Sequence, residues 1–296
     1  MPELPEVETI VRGLNQAIIG RKIKSIDILV DKLFIGNKNS VINSKIIEVK
    51  RLGKTILIYF ENNYLLHIHL KMTGQLIFVN KNQQFKIKNL KLKIPPTIKI
   101  VGGGHPDKKY DQPLPHKYTH IIIKFTDEST LFYNDLRKFG WMKILDSRIK
   151  NLESRFGIDA LSEKLNSNYL SSKLSKRNIT TKQALLDQSI ISGIGNIYSD
   201  EILFCARILP DKKVGKLKPS EINNIVNFIP IVLNKSIDLG GTSRSDYLKI
   251  DGSRGNYLKY AYVYGRENEK CRVCNTKIKR IKIGQRSSHF CTNCQK

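Results

Sequence analysis

Long apolar runs are missing from this 296-residue sequence. A helix that spans a bilayer needs a run of about twenty apolar residues, so no membrane partner is expected. A secretion signal is also missing, because the N-terminus carries Glu3, Glu6 and Glu8 where positive charge and an apolar stretch would be needed. These absences predict a protein of the bacterial cytoplasm or of an equivalent reducing compartment.

Acidic residues are scarce. The chain has 26 Asp and Glu against 51 Lys and Arg, a formal net charge of +25. An AT-rich genome would explain part of the lysine excess, but such a bias normally adds Glu and Asp as well. An excess of this size favours a polyanionic partner, nucleic acid above all.

Cysteine is scarce outside the C-terminus. Four of the five cysteines lie in the last 26 residues, as Cys271-x2-Cys274 and Cys291-x2-Cys294 with sixteen residues between the pairs. This spacing is typical of four thiolates around one tetrahedral zinc ion. Two disulfides are the alternative, which a reducing compartment disfavours. Because all four ligand positions would be filled, we expect one structural zinc. Cys205, within an apolar stretch, is most simply a buried core thiol.

The segment around the cysteines is basic. Residues 261–296 contain nine Lys and Arg against two Glu. The stretches Lys277–Ile283 and Ser288–Phe290 are typical of the two strands of a hairpin. The pattern predicts a hairpin that grips DNA, with Arg286 near its tip reaching into the duplex.

Hydrophobic periodicity divides the rest of the chain. Residues 4–19 carry one apolar stripe at helical spacing, with Gly20 as a stop signal. Short β-rich runs then follow from about residue 22 to 145 and predict a β-sandwich. The predicted strands are Lys22–Val30, Ile46–Val49, Thr55–Phe60, Tyr64–Leu70, Gln75–Val79, Thr119–Phe125, Thr130–Tyr133 and Trp141–Leu145.

One segment interrupts the strands. Residues 80–117 hold nine Lys against two Asp and the run Gly102-Gly103-Gly104. This run lacks the Lys-Ser/Thr pair of a phosphate-binding loop, so we interpret it as turn chemistry within a long basic insertion.

Beyond residue 150 the pattern becomes helical. The predicted helices are Leu165–Leu174, Lys182–Ser189, Ile197–Ala206 and Ser220–Leu239. The sequence thus predicts an α+β fold in three domains. These are an N-terminal helix plus β-sandwich (1–147), a helical domain with a mobile loop at 240–258 (148–260), and a segment that carries the four cysteines (261–296).

A glycine-rich turn separates two of the helices. Gly193 and Gly195 permit tight turns, and Asn196 begins the next helix. The N-terminus of a helix presents free N–H groups and a positive dipole, which together bind phosphate. Gly-x-Gly between helices is common, so the motif gains weight only from the basic chain around it.

The N-terminus carries an unusual sequence, MPELPEVET, in which proline directly follows Met1. Removal of Met1 would expose Pro2 as a secondary amine, able to attack C1′ of a deoxynucleotide and form an iminium. Glu3 adjoins it, and Glu6 lies one turn on along the same helix face. Ordinary helix-start residues are the alternative, and helix physics alone favours that simpler reading.

Several motifs together resemble the formamidopyrimidine-DNA glycosylase family over nearly the whole chain. They are MPELPEVET, HLKMTGQL, NDLRKFG, SGIGNIYSDE, GGTSRSDY, VYGR and the four-cysteine finger that ends in CTNCQK. The resemblance implies a β-sandwich domain, a helix-two-turn-helix domain and a zinc ribbon that clamp bent DNA. The long 80–117 segment departs from the family pattern, which leaves its role open.

The resemblance also implies site residues. Pro2 becomes the nucleophile, Glu3 the general acid and base, and Glu6 a supporting acid. Lys54 becomes the lysine of the catalytic pocket that contacts the phosphates flanking the lesion. The implied DNA-binding residues are His69, Met72, Arg137, Phe139, Lys182, Asn196, Tyr264 and Arg286, of which Met72, Arg137 and Phe139 fill the space left by a flipped nucleotide. The implied lesion-capping loop contains Thr242, Ser243, Arg244, Ser245 and Tyr247.

The implied function is base-excision repair. The expected enzyme removes oxidised purines such as 8-oxoguanine and formamidopyrimidines from duplex DNA. It then cuts the abasic strand by β,δ-elimination, acting as a monomer near the bacterial nucleoid. One alternative is an endonuclease VIII-like enzyme for oxidised pyrimidines, against which Leu4, Arg137 and Phe139 argue. The other is a protein that binds damaged DNA without catalysis.

Overall fold

The computed structural model describes residues 1–80, 113–148, 156–242 and 255–296. The chain divides into two compact units. One comprises Met1–Leu152 with Leu239–Asn256, and the other comprises Glu153–Asp238 with Tyr257–Lys296. The domain boundaries after residues 147 and 260 stay predictions. Most of the predicted 80–117 insertion falls on residues 81–112, outside the described ranges.

The first unit begins with helix α1, Leu4–Ile18. Its apolar stripe is buried, as the periodicity predicts, and includes Val7, Ile10 and Leu14. A proline in the first turn and a capping box start the helix. Gly20, at φ +83°, follows its end and adopts the left-handed conformation that favours glycine. The predicted helix is confirmed to within one residue.

Two sheets form the rest of this unit. Strands β1 (Ile23–Ile28), β6 (Gly74–Val79), β7 (Thr119–Phe125) and β8 (Thr130–Asp135) make a four-stranded sheet in the order β1-β7-β8-β6. Strands β2 (Phe34–Ile35), β3 (Ile46–Leu52), β4 (Thr55–Phe60), β5 (Tyr64–His69) and β9 (Trp141–Asp146) make a five-stranded sheet in the order β2-β9-β5-β4-β3. One apolar core, to which α1 and both sheets contribute, holds the unit together. Strand β2 escapes prediction because it has only two residues, too few for a periodic pattern.

The second unit is mainly helical. Its helices are α2 (Ser167–Leu174), α3 (Thr181–Leu186), α4 (Asn196–Cys205), α5 (Pro219–Asp238) and α6 (Tyr257–Tyr260). A short parallel pair, β10 (Ile158–Asp159) and β11 (Ile191–Ser192), precedes α4, and the hairpin β12 (Lys279–Ile283) and β13 (Arg286–Phe290) lies near the C-terminus. The predicted α+β class is confirmed.

Helix α3 is shorter than the predicted Lys182–Ser189. It ends at Leu186, because the side chain of Asp187 accepts hydrogen bonds from the backbone N–H of Ser189 at 2.9 Å and from its hydroxyl at 2.6 Å. Such a local side-chain bond competes with the helical pattern. Among the helices of the described ranges, none is long and apolar enough to cross a bilayer.

Candidate active site and nucleic-acid interface

The start of α1 places three of the predicted catalytic residues side by side. Met1 is exposed, whereas Pro2, Glu3 and Glu6 are buried. Glu3 caps the helix and shares a capping box with Glu6, whose Oε2 accepts the Glu3 N–H at 2.9 Å. The backbone next to Pro2 is therefore fixed by the helix that follows it. While Met1 remains attached, the Pro2 nitrogen is an amide and carries no nucleophilic lone pair.

Glu6 also binds the loop at residue 242. Its Oε1 accepts the backbone N–H of Thr242 at 2.8 Å and the Thr242 hydroxyl at 3.0 Å. Gly241 lies at φ +81°, and a Cβ there would sit 3.0 Å from Glu6 Oε1. Glu6 thus joins the helix start to the first residue of the predicted lesion loop, a positioning contact that the sequence did not reveal. The other predicted loop residues, Ser243, Arg244, Ser245 and Tyr247, lie outside the described ranges.

Lys54 and His69 lie on neighbouring parts of the five-stranded sheet. Lys54 occupies the turn between β3 and β4, after Gly53 at φ +56°, and is only 9% exposed. Burial, and then the charges of Lys71, His67 and Lys54, lower the pKa of His69 from 6.5 to about 3. His69 is therefore neutral at pH 7. Because its Nδ1 accepts the Lys71 N–H at 3.0 Å, its proton belongs on Nε2, which can donate to a phosphate oxygen.

His67, on the same face of β5, is expected to make the unit sensitive to acid. Burial, and then the charge of Lys143, lower the pKa of His67 from 6.5 to about 4. At a pH between these two pKa values, His67 is protonated in the unfolded chain and neutral in the folded chain. The contribution of neutral His67 to the stability of the fold is therefore complete above the unfolded pKa and is lost as the pH falls toward the folded pKa.

We expect His67 to lower the free energy of unfolding by on the order of 2 kcal/mol between about pH 7.5 and about pH 4.5. Urea denaturation of the protein and of His67→Gln measures this loss. The variant keeps a partner for the Thr55 hydroxyl, 2.8 Å from His67 Nε2, but it cannot titrate. An equal loss of stability in both proteins would contradict the assignment.

Asp135 organises the loops at one end of the four-stranded sheet. It is fully buried. Its Oδ1 accepts the Thr73 hydroxyl and the Arg137 N–H, the latter at 3.1 Å, and its Oδ2 accepts the Gly140 N–H at 2.8 Å. A Cβ at Gly140 would lie 2.8 Å from the carbonyl oxygen of His69, so the close approach requires glycine. One carboxylate thus fixes the two loops that follow β5 and β8.

These two loops carry the predicted trio for the flipped nucleotide. Met72 directly precedes Thr73, and Arg137 and Phe139 are exposed on the other loop. The Arg137 Cζ lies 4.7 Å from the centre of the Phe139 ring, a cation–π distance. Phe139 is 55% exposed. The structure therefore brings the planar cation and the aromatic ring of the trio together on an exposed loop.

In the second unit, Asn196 begins α4 directly after Gly195. Its Oδ1 and the Oγ of the nearby Ser192 are buried and have no hydrogen-bond partner among the residues that the structure describes. The N–H groups and positive dipole at a helix N-terminus suit an anion, to which the Ser192 hydroxyl could also donate. Lys182 is not exposed in this region: it is fully buried and forms an ion pair with Asp200.

Arg286 lies at the tip of the β12–β13 hairpin, paired with Ile283 across a two-residue turn. Gly284, at φ +58°, occupies the first central position of this turn, as a type II′ turn requires. The Arg286 side chain is exposed. The structure thus confirms the predicted hairpin and presents Arg286 to solvent.

Tyr264 is positioned by a buried acid. Glu201 accepts the backbone N–H groups of Tyr262, Val263 and Tyr264 at 2.7, 2.9 and 2.8 Å. Burial raises the pKa of Glu201 while these bonds lower it. The Tyr264 ring lies edge-on to His289, with centroids 5.1 Å apart. This segment is therefore anchored to α4 through Glu201.

The four C-terminal cysteines converge. Their sulfur atoms all lie within 4.8 Å of one another, with Cys271 and Cys294 3.9 Å apart and Cys274 and Cys291 3.4 Å apart. Four sulfurs around a tetrahedral zinc at about 2.3 Å stand about 3.8 Å apart. The donor set and the spacing fit one structural zinc ion.

The sequence analysis missed the buried acids that hold the loops and the hairpin of the candidate site in place. Asp135, Asp200 and Glu201 touch backbone N–H groups or a lysine, and they stand inside motifs whose other members drew attention. The signal was present, because an acid within an apolar strand or helix must find donors when it is buried. No pattern in the sequence indicates which donors those are.

Family models cover most of the chain. Residues 1–142 match the formamidopyrimidine-DNA glycosylase N-terminal domain, residues 156–247 match the formamidopyrimidine-DNA glycosylase H2TH domain, and residues 268–296 match a zinc finger found in FPG and IleRS.

Relatives that align with the whole chain carry the same family name. A formamidopyrimidine-DNA glycosylase of Trichormus variabilis is 37% identical with 100% of each chain covered, and one of Exiguobacterium is 34% identical with 100% and 99% covered. Among solved structures, a complex of Lactococcus lactis Fpg with abasic-site DNA has a TM-score of 0.81 at 29% identity and covers 99% of each chain. A Lactococcus lactis complex with DNA that contains an oxidised pyrimidine has a TM-score of 0.81 at 30% identity and covers 100% of each chain.

Proposed function

This chain belongs to the formamidopyrimidine-DNA glycosylase family, and from that premise we propose that it excises oxidised purines from duplex DNA and cuts the abasic strand. The observation that carries the proposal is the placement of Pro2. The residue stands at the start of α1, beside Glu3, on a backbone that Glu6 fixes through a 2.9 Å bond. A free amine at that point would be held in place by the start of α1.

The chemistry follows from the secondary amine. After Met1 is removed, the Pro2 nitrogen attacks C1′ of the damaged nucleotide, the N–C1′ bond forms, and the base leaves with the electrons of the glycosidic bond. Glu3 protonates O4′ as the sugar ring opens, which gives a cationic iminium. Loss of a C2′ proton then expels the 3′ phosphate, and a second elimination expels the 5′ phosphate.

Each unit, taken by itself, carries donors that suit the phosphates of a DNA backbone. His69 offers a neutral Nε2–H and Lys54 a positive charge, whereas Asn196, Tyr264 and Arg286 belong to the second unit. The net charge of +25 supports an electrostatic contribution to binding. In this proposal the enzyme acts as a monomer on DNA of the bacterial nucleoid.

In this proposal Met72, Arg137 and Phe139 fill the space that a flipped nucleotide leaves in the duplex. Extrusion of a base removes its stacking and its pairing. An aromatic wedge replaces the stacking, and the guanidinium offers hydrogen bonds to the orphaned base opposite. Because Asp135 fixes the loop that carries Arg137 and Phe139, we propose that Asp135 determines where this wedge enters.

Oxidised pyrimidines are the second candidate substrates. A structural neighbour at 30% identity is described in complex with an oxidised pyrimidine containing DNA, so the fold accommodates such lesions. An endonuclease VIII-like preference would use the same proline chemistry. Leu4, Arg137 and Phe139 favour purines here.

A side-by-side assay separates these substrates. We expect base release from an 8-oxoguanine:cytosine duplex to exceed release from a thymine glycol duplex by on the order of ten-fold in kcat/KM, since the two lesions differ by only a few contacts. Single-turnover measurements on both duplexes give the ratio. A reversed ratio would assign the enzyme to oxidised pyrimidines, and binding without strand scission on either duplex would leave only a damage-binding protein.

A further inference from the structure

Lys182 is the one DNA-binding residue implied by the resemblance that the structure places entirely out of solvent. Its side chain and that of its partner Asp200 are each 0% exposed. A lysine is almost never fully buried unless it is paired. To reach a phosphate, Lys182 would have to abandon a buried carboxylate, which would then keep only the His289 imidazole, with Nδ1 3.2 Å from Asp200 Oδ2, beside it.

The ammonium group of Lys182 connects two parts of the second unit. Besides Asp200, it donates to the carbonyl oxygen of Asn196 at 3.3 Å and to that of Ser287 at 3.4 Å. Asn196 begins α4, and Ser287 follows Arg286 in β13. Within the described ranges, these three acceptors already match the three protons of the ammonium group, so this geometry leaves none for a ligand.

Asp200 completes the connection from the other side. Its Oδ1 accepts the Ser288 hydroxyl at 2.6 Å, and its Oδ2 accepts the His289 N–H at 2.8 Å. Both donors belong to β13, whereas Asp200 belongs to α4. The hairpin is thereby attached to the helix through one carboxylate.

We propose that Lys182 and Asp200 are positioning residues that fix the Arg286 hairpin relative to the N-terminus of α4, and that Lys182 itself touches no phosphate. The inference rests on the proposed function, since it assumes that Asn196 and Arg286 bind DNA. A buried ionic network of this kind fixes one arrangement of the elements that it joins. Two phosphate-binding points at a set spacing then meet a single DNA strand in register.

Substitution of both partners distinguishes positioning from direct contact. Lys182→Met leaves the Asp200 carboxylate buried and unpaired. In Lys182→Met with Asp200→Asn, the Asn amide can donate to the Ser288 hydroxyl while its oxygen keeps the His289 N–H. The double variant therefore removes the unpaired buried charge and keeps the bonds to β13 without any lysine.

The affinity for a duplex that holds a tetrahydrofuran abasic analogue, which is bound and not cleaved, gives the readout. We expect Lys182→Met to bind roughly ten-fold more weakly, and the double variant to return to within about three-fold of the wild type. The double variant should also keep the wild-type slope of log K against log salt. Arg286→Gln serves as the comparison for an exposed cation, with a slope shallower by about 0.9.

A direct phosphate contact gives the opposite result. The double variant would then stay about ten-fold weak, with a slope shallower by about 0.9, and the proposal would be overturned. If Lys182→Met alone does not fold, the affinity and the salt slope of the double variant still decide between positioning and direct contact. Tight binding of this duplex by a wild type that releases no base would contradict the proposed catalytic function while leaving this comparison intact.

Discussion

Replacement of Pro2 by glycine is expected to lower base release from an 8-oxoguanine duplex by on the order of 10³-fold. Glycine supplies a primary amine at a more flexible backbone position, without the ring that makes proline a secondary amine. The backbone at Glu3, tied to Glu6 at 2.9 Å, loses the rigid residue that precedes it. Both the nucleophile and its orientation are therefore weakened.

Borohydride measures the intermediate directly. It reduces the iminium between Pro2 and C1′ and freezes it as a covalent protein–DNA adduct. We expect this adduct with the wild type and little or none with Pro2→Gly. The two quantities to compare between the wild type and Pro2→Gly are the single-turnover rate of base release and the yield of adduct on a gel.

Pro5→Ala is the matched control, because Pro5 is also buried in the first turn of α1. It perturbs the helix start and leaves the nucleophile in place, so its activity should stay within a few-fold of the wild type. Full activity of Pro2→Gly would refute the mechanism, as would the absence of any adduct with the wild type. Mass spectrometry of the mature N-terminus belongs with this experiment, since retained Met1 blocks the amine.

The fold was largely predictable because its signals are local. Period-two and helical patterns identified eight strands of the sandwich and five helices, and the cysteine spacing identified the finger. The short elements escaped, since the two-residue strands β2, β10 and β11 depend on neighbours distant in sequence. The end of α3 was misplaced because Asp187 ends it with a side-chain bond.

The motifs name candidate site residues but do not show how their side chains are connected. A motif places Glu6 near Pro2, but only the fold shows that its other oxygen holds Thr242 at 2.8 Å. In the same way, resemblance marks Lys182 as a DNA contact, whereas the fold buries it against Asp200. Family motifs record which residues occur together. Burial and hydrogen bonding decide whether a residue faces the ligand or supports one that does.

Removal of the zinc ion is expected to weaken DNA binding on the order of 100-fold. The core of the finger consists of its own cysteines packed with a few apolar side chains, among them Phe204, Val263 and Ile278. So small a cluster cannot fold residues 268–296 unless the metal joins the thiolates. Without it, the hairpin loses its register and Arg286 its fixed place.

The measurement pairs metal content with affinity and chemistry. Dialysis against a chelator, or Cys274→Ser, should lower the zinc content from one ion per chain and raise the Kd for the tetrahydrofuran duplex. At saturating DNA, the borohydride adduct should persist, because Pro2 belongs to the other unit and needs no metal.

Cys205→Ala is the matched control. Burial raises the pKa of the Cys205 thiol to about 12, and this cysteine is not among the four that converge. The variant should keep its zinc and its affinity. Wild-type affinity in the metal-free protein would show that the hairpin holds its shape through Asp200 and Glu201 alone. The zinc would then be dispensable for DNA binding, and the buried acids would take over the role assigned to the metal.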